Sequence, residues 1–573
     1  LNLVRSEWRK YLYVLEEGGE VVDDDIDLNN TQFEVGTVNI EENGQRSPVN
    51  YVLPPDVDRV IDPSNSQLRQ LNEQSVSMKV TDLPDGFAKA IYKNIRFDMR
   101  QYKRLKMYIH GEKLENSNLS DNELTVFVRL GTDVKENYYE YEIPVVLTPP
   151  GSYSTNTADR KMVWPTDNEL NIPLSIFTET KKERNDLLGE VESGVSLLTE
   201  YTKQAGKNTV KVRGNPNLAE VVTFMIGVRN PRDNRRNVSG EIWVNELRLT
   251  EFDEEGGWAV NARVTTQLAD LGSVTVAGAT SKPGFGSLEQ KLNERQLNEI
   301  YQYDINTSLQ LGEFFSDESG IKIPMYFGYA ETFTNPKYNP LSKDIEFDKS
   351  LEGLSQTEKD EMKRIAQEYN MRKSLNFTGV KFAKTPKEPH FYDVANWTFS
   401  YAYTQVFDRN INLAYHNRKQ HTGSINYMYN NKTTPWEPFK SSKMNAKYLG
   451  ILKDFNLNYA PSQFSFSTIV SRKYNTMKQR NLNIPDQVFD PTYDKNFTWN
   501  RDYGLVHNLA KSIKISYNAR ASSRINEPEG RVERDMPGYD TIRQQIFEDF
   551  LRLGSLTQFN QTFDVTYQIP LNK

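Results

Sequence analysis

The 573-residue chain reads as all-β, with soluble sandwich or jelly-roll domains followed by a long series of amphipathic strands suited to a transmembrane antiparallel barrel. Three observations carry this reading. Short β-branched and aromatic runs bounded by Gly, Pro and Asn recur through the first part of the chain. From Trp258 onward, apolar and polar residues alternate with period two in segment after segment. No run of 18 apolar residues exists, which excludes a spanning helix. A barrel strand needs only about nine to eleven alternating residues, so a membrane is not excluded with it.

Residues 1–150 form the first expected soluble β region. Leu124-Thr125-Val126-Phe127-Val128-Arg129-Leu130 is a strand closed by Gly131, and Tyr138 to Ile143 is the next, ended by Pro144. Residues 151–257 form a second soluble region and connection, with strands expected at Val221–Val228 and Glu241–Leu249. A linker is expected around Pro149–Pro165, and acidic Glu251–Glu255 precedes a change of texture.

Residues 258–573 are expected to form a partial barrel with loop insertions. Trp258, Val260, Ala262 and Val264 alternate with Ala259, Asn261 and Arg263, and Val274-Val276-Gly278 is the return. Tyr303, Ile305 and Leu309 are expected to face lipid, while Asp304 and Asn306 face a wet lumen. The same alternation runs through Ile321–Tyr329, Trp397–Tyr403, Ile411–Tyr415, Ile425–Tyr429, Phe455–Tyr459, Phe464–Val470 and Ile513–Ala519. In the terminal segment, Phe559, Phe563, Val565, Tyr567 and Ile569 are expected toward lipid, and Asn560, Thr562, Asp564, Thr566 and Gln568 toward the lumen. The 31 Tyr and 28 Phe suit the aromatic belts of such a wall. Periodicity alone also fits a large soluble β-solenoid or sandwich.

Two segments break the β-pattern. Ser355-Gln356-Thr357-Glu358 has the form of a capping box, and Met362, Ile365 and Ala366 follow at helical spacing. Ile542, Ile546 and Phe550 fall four apart, marking a second helix over Thr541–Phe550. Both are expected in loops outside the hydrocarbon.

The chemistry of the chain excludes much. There is no Cys, hence no thiol catalysis, thiolate metal site or disulfide. The 70 Lys and Arg stand against 77 Asp and Glu without a basic block, which offers nothing to nucleic acid. No HExxH, GxSxG or GxxxxGK[S/T] motif occurs. His416 and His421, five apart on a strand, point to opposite faces. Asp23, Asp25, Asp27 and Asn29 alternate like calcium ligands, yet Leu28 stands where the turn glycine belongs, so a solvated acidic loop is expected. Lys282–Ser287 reads as a hairpin turn rather than a phosphate loop, and Glu140 and Glu142 as one solvated strand face. No catalytic, cofactor or metal residue is assigned.

The wording of several stretches adds to their periodicity. Val238-Ser239-Gly240-Glu241-Ile242-Trp243-Val244-Asn245-Glu246-Leu247-Arg248-Leu249 resembles a signature of the SprA/Sov cell-surface family, as does Gly257–Val264 with Leu268–Gly272. Leu124–Gly131, Tyr138–Gly151 and Val212–Pro216 are similar to further family segments. The resemblance implies periplasmic-type sandwich domains joined to part of a very large outer-membrane barrel. It also implies the translocon of the type 9 secretion system of Bacteroidota, which exports folded cargo and, in gliding species, motility adhesins. The implied partners are outer-membrane lipid, secreted cargo, and periplasmic and lipoprotein subunits that gate or cap the pore. The implied location is the cell outer membrane, with periplasmic and extracellular portions, and no catalysis is implied. Family members are much longer, and the start at Leu1 and the end just after a strong strand read as a piece of such a chain. The reading left beside it is a surface β-sandwich that binds carbohydrate or serves structure.

Overall fold

The computed structural model describes residues 8–16, 18, 21–22, 31–59, 61, 70–115, 117–188, 193–232, 234–291, 294–383, 390–432, 434–441, 453–482 and 487–569. They fall into two compact units. The first takes Leu1–Gly256, Leu288–Glu294 and Lys337–Gly353, and the second takes Gly257–Ser287, Arg295–Pro336 and Leu354–Lys573. The sheets of both units are antiparallel.

In the first unit two sheets face each other. One runs Tyr201–Ala205, Asn208–Arg213, Tyr138–Pro144, Thr125–Gly131, Val221–Arg229, Phe87–Phe97, Val14–Glu16 and Val21–Val22 in spatial order. The other runs Leu170–Pro173, Tyr102–Lys113, Val238–Phe252, Gln74–Leu83 and Gln32–Asn39. Strands from both sides of residue 150 are thus interleaved in each sheet. Alternation supplies the core between them: Phe224, Ile226 and Val228 point inward with Val126 and Val128, against Met78, Val80, Ile109 and Ile242 of the facing sheet. Each such side chain contributes about 1.5–3 kcal/mol of burial. The result is a β-sandwich. On the far side of its sheet, Phe127 lies over Gly227, its ladder partner, where any Cβ would overlap the ring.

The outer face of the five-stranded sheet is covered too. Tyr51, Val52, Tyr108, Val163, Trp164 and Trp243 form a second apolar cluster there. The stretch Pro149–Pro165, expected as a linker, contributes to this cover instead. Asn156 caps the helix Thr157–Val163, and buried Trp164 donates from Nε1 to the Val52 carbonyl at 2.8 Å. Two apolar anchors, Val163 and Trp164, outweigh the polar composition around them.

The family-like stretch gains a physical meaning in this packing. Ile242 and Val244 enter the sandwich core, while Glu241, Trp243 and Asn245 share the outer face. Glu241 accepts from Arg46 (2.6 Å), Ser77 (2.6 Å) and Trp243 Nε1 (2.9 Å). Trp243 stacks on His110 with ring centroids 3.9 Å apart. Asn245 donates to Tyr51 and Glu73. Burial raises the Glu73 carboxyl, and burial together with Glu73 raises the Tyr51 phenol well above its usual range.

Glu140 and Glu142 correct the reading of a solvated face. Both are buried, on the side of their strand opposite Tyr139 and Tyr141. Glu140 accepts from Arg129 (2.9 Å) and Arg229 (2.9 Å), and Lys211 reaches both carboxylates at 3.1 and 2.9 Å. Burial alone would raise Glu140, but Arg229, Lys211 and Arg129 outweigh it and hold it well below the usual carboxylate range. Their cationic partners lie up to 89 residues away in sequence, which is why the pair looked solvated.

Candidate functional site

The second unit is built on a single twelve-stranded sheet. Eleven strands follow in order: Ala259–Leu268, Gly272–Ser281, Asn298–Gln310, Pro324–Pro336, Glu368–Phe382, Trp397–Arg409, Leu413–Asn430, Gln463–Gln479, Thr492–Ala510, Ile513–Arg524 and Ser555–Tyr567. Short Ile321–Lys322 pairs beside Glu368–Phe382. The described sheet is open, with Ala259–Leu268 and Ser555–Tyr567 at its edges.

Residues directly opposite one another in an antiparallel ladder share a face, so the register assigns every side chain. Ile305 opposes Val276 and Tyr329, and Tyr303 opposes Gly278 and Glu331. At the other edge Phe563 opposes Tyr517, which opposes Leu505, and Val565 opposes Ile515. Followed through all ladders, Tyr303, Ile305 and Leu309 lie on the same face as Phe563, Val565 and Tyr567. Asp304, Asn306, Thr562, Asp564 and Thr566 lie together on the opposite face. That face carries Asn306 donating to Asp304 (2.6 Å), Ser467 donating to Asn426 (2.6 Å), and the Arg520–Asp502 ion pair (2.5 Å). On the apolar face Phe563, Val565 and Tyr567 are 64%, 58% and 57% exposed.

The apolar strip does not follow the hydrogen bonds straight across the sheet. Ile305 is the middle apolar-face position of its strand, and its row runs through Tyr329, Lys373, Gln405, Lys419 and Tyr474 to Lys495. Phe563, the middle apolar-face position between Phe559 and Tyr567 on the last strand, leads back through Tyr517 to Leu505. Lys495 and Leu505 are ten residues apart on one strand, so the strip has shifted by that much over eight ladder steps. At about 3.3 Å per residue and about 4.8 Å per strand, the strands cross it at about 40° to its normal.

The SprA_N family model, described as a motility related/secretion protein, matches residues 1–351. The chain belongs to this family. The match takes in the sandwich and the first four long strands of the second sheet, among them Asn298–Gln310 with Tyr303 to Leu309. Comparison with curated proteins returns no match.

The remaining sequence candidates have definite places. Asp23–Asn29 lies outside the described residues. Among those described, no group of three or more His, Asp or Glu is placed to hold a metal. His416 and His421 occupy opposite faces of their strand, and the Tyr401 hydroxyl is 2.9 Å from His421 Nδ1. Lys282–Ser287 is a turn, with Gly284 at φ 86°. The capping box forms on the helix Gln356–Ala366, and a second helix spans Tyr539–Leu551. No described helix is long and apolar enough to cross a membrane, which says nothing of strands. Phe455–Tyr459 is no strand: Leu457 makes one isolated bridge to Trp436 in the connection after Asn430. Sequence reasoning also missed Glu331, a carboxylate on the apolar face that accepts from the hydroxyls of Tyr303, Tyr329 and Tyr369.

Proposed function

We propose that the second unit forms part of the wall of an outer-membrane β-barrel that conducts folded cargo in type 9 secretion, with a role in gliding motility in gliding species. The slope of the apolar strip carries this reading. Strands of a membrane barrel tilt by about 35–45°, so a lipid-facing belt parallel to the membrane must cut obliquely across the ladder. A slope of about 40° is what that geometry requires. Placing Phe563, Val565 and Tyr567 against lipid also removes apolar surface that stands open to water.

On this reading Tyr303, Ile305 and Leu309 face lipid, and Asp304, Asn306, Thr562, Asp564 and Thr566 face a hydrated lumen. Conduction needs no chemistry on the cargo: backbone groups pair along the wall, and the polar face tolerates water. The sandwich lies on the periplasmic side, where periplasmic and lipoprotein subunits gate or cap the pore.

Single cysteines at positions 564 and 565 of the full protein, otherwise free of Cys in this chain, test the assignment in membranes. Aqueous labelling at 564 with lipid-phase quenching at 565 is expected. Two equally aqueous positions would favour a soluble sheet and overturn the reading. Loss of the full protein is expected to trap several unrelated secreted proteins inside the envelope, whereas normal secretion with one lost glycan-binding activity would identify a carbohydrate-binding surface.

A further inference from the structure

Four residues of the apolar face form one ladder row: Tyr301 opposes Phe333, Phe333 opposes Tyr369, and Tyr369 opposes Arg409. The row follows the hydrogen bonds while the apolar strip slopes away from it, so it passes out of the strip into its margin. Arg409 is four residues from Gln405, which shares the row of Ile305. After three of the eight ladder steps the strip has withdrawn by about four residues more. About eight residues along strands tilted by about 40° place Arg409 roughly 20 Å from the strip's middle. Headgroups lie about 15–22 Å from the centre of a bilayer. This is the end of the sheet from which Pro336 leads into Lys337–Gly353, the periplasmic end on the reading above.

Two further arginines meet Arg409 there. Arg480 follows the strand Gln463–Gln479, and its Nη1 donates to the carbonyls of Asn410 (2.6 Å), Ile365 (3.3 Å) and Ile411 (3.4 Å). Those carbonyls belong to the turn after Arg409 and to the last turn of the helix Gln356–Ala366, which carries exposed Arg364. Burial, and then the charges of Arg364 and Arg409, lower the Arg480 guanidinium. Arg409 donates from Nη2 to Gln367 at 3.0 Å, and its guanidinium lies 5.4 Å from the Tyr369 ring. Among the described residues no carboxylate pairs with any of the three, and Arg364 makes no hydrogen bond. Like charges gathered at the rim of an apolar wall repel strongly unless an anion joins them, and planar N–H groups match phosphate oxygens.

We propose that Arg364, Arg409 and Arg480 bind the headgroup phosphate of one phospholipid of the periplasmic leaflet. Its acyl chains run past Phe407, the next residue from Arg409 on that face toward the strip's middle. The inference rests on the lipid-facing reading of this face and adds a specific, retained ligand to it. An acidic protein segment would offer carboxylates to the same charges. The cluster stands instead at the depth of phosphates, beside the face turned to lipid, where aromatic rings give way to cations.

The test uses the full protein in vesicles of phosphatidylethanolamine and phosphatidylglycerol, extracted in mild detergent and read by native mass spectrometry. Wild type is expected to retain one phospholipid. Arg364→Gln combined with Arg409→Gln is expected to lower that occupancy at least about tenfold, while lysine at both positions keeps part of it. Arg364→Gln alone, at an exposed side chain, leaves the fold intact and is also expected to lower it. Equal retention in all variants, or none in wild type, overturns the site. Displacement of the lipid by millimolar inorganic phosphate would make it a site for free anions and overturn the lipid. Unchanged lipid with loss of a co-purifying acidic subunit would assign the cluster to a protein instead. A spin label at position 565 separates this from the underlying reading. Oxygen-accessible 565 without retained phospholipid sinks the site alone, whereas 565 in water sinks the lipid-facing assignment.

Discussion

Lys181 Nζ lies 2.9 Å from Asp344 Oδ1, and both side chains are buried although 163 residues separate them. Asp344 Oδ2 accepts from the Tyr139 hydroxyl (2.6 Å) and the Leu218 amide (3.2 Å), and Lys181 also donates to the Pro216 carbonyl (2.7 Å). The segment Lys337–Gly353, which leaves one strand of the second sheet and returns to another, is thereby fixed within the first unit. Burial pushes the Lys181 amine down, and Asp344 opposes that shift.

Removing one partner strands the other charge. Asp344→Asn is expected to cost about 3–5 kcal/mol of first-unit stability, because Lys181 then stays buried with neutral acceptors only. Replacing both residues with apolar side chains of similar volume should recover most of that loss. Urea denaturation of the full chain, followed through the buried Trp164 and Trp243, measures both. A single variant as stable as wild type would show that the pair holds nothing.

The Glu140 cluster sets an acid limit. Its carboxyl is depressed by Arg229, Lys211 and Arg129 against the effect of burial, so it binds protons less readily folded than unfolded. The contribution is therefore present above the unfolded value, about 4.3, and is lost as pH falls through the folded one. Glu140→Gln is expected to be less stable than wild type at pH 7 and to show a flatter decline between pH 5 and 2. Glu73 has the opposite sign, because burial raises it: its charged form costs stability as pH rises. Glu73→Gln should stabilise at pH 7 and make no difference near pH 3. Parallel pH curves for all three proteins would contradict the assignment.

Alternation made strands such as Thr125–Gly131 and Ser555–Tyr567 legible: Val126, Val128 and Leu130 share one face of the first, and Phe559, Phe563, Val565 and Tyr567 share one face of the second with only Gln561 between them. Where charges interrupt that face the pattern fails. Thr492–Ala510, the longest strand, carries Lys495 and Arg501 among its aromatics, and Glu368–Phe382 carries Lys373. Both were missed. The oblique slope of the strip accounts for Lys495, which lies beyond it on a strand longer than the strip, whereas Lys373 and Arg501 fall within the strip and break its alternation directly. The faces of Tyr303 and Asp304 were readable from spacing, whereas the common face of Ile305 and Phe563 needed eight ladder registers. Ion partners such as Arg229 for Glu140 left no local trace at all.

The bulge in Val238–Phe252 offers a gain. The register shifts between Asn245 and Arg248, and Glu246 takes φ 51° within the shift. A left-handed conformation costs a side chain about 1–2 kcal/mol, which glycine avoids at some entropic cost in the unfolded chain. Glu246→Gly is expected to stabilise by about 0.5–1 kcal/mol, and Glu246→Ala not at all. Equal effects of the two would mean that the gain came from losing the carboxylate beside Glu73 rather than from the backbone.

The lipid-facing strip predicts a depth gradient along the last strand. Phe563 is the middle of the run from Phe559 to Tyr567, Val565 the next outward and Tyr567 its end, all on one face. Lysine on the lipid side of a barrel costs about 2–4 kcal/mol at the bilayer centre and about 0–1 kcal/mol at the interface, because near the boundary the ammonium reaches water. Phe563→Lys should therefore impair assembly of the full protein most, Val565→Lys less and Tyr567→Lys least. Thr562→Lys is the control: it opposes Asn518 on the polar face and sits beside Asp564, so its charge stays hydrated. Unfolding from phospholipid vesicles in guanidinium reads all four. A soluble sheet has no depth, so three equal lysine costs, each as small as that at 562, would leave the strip without a membrane.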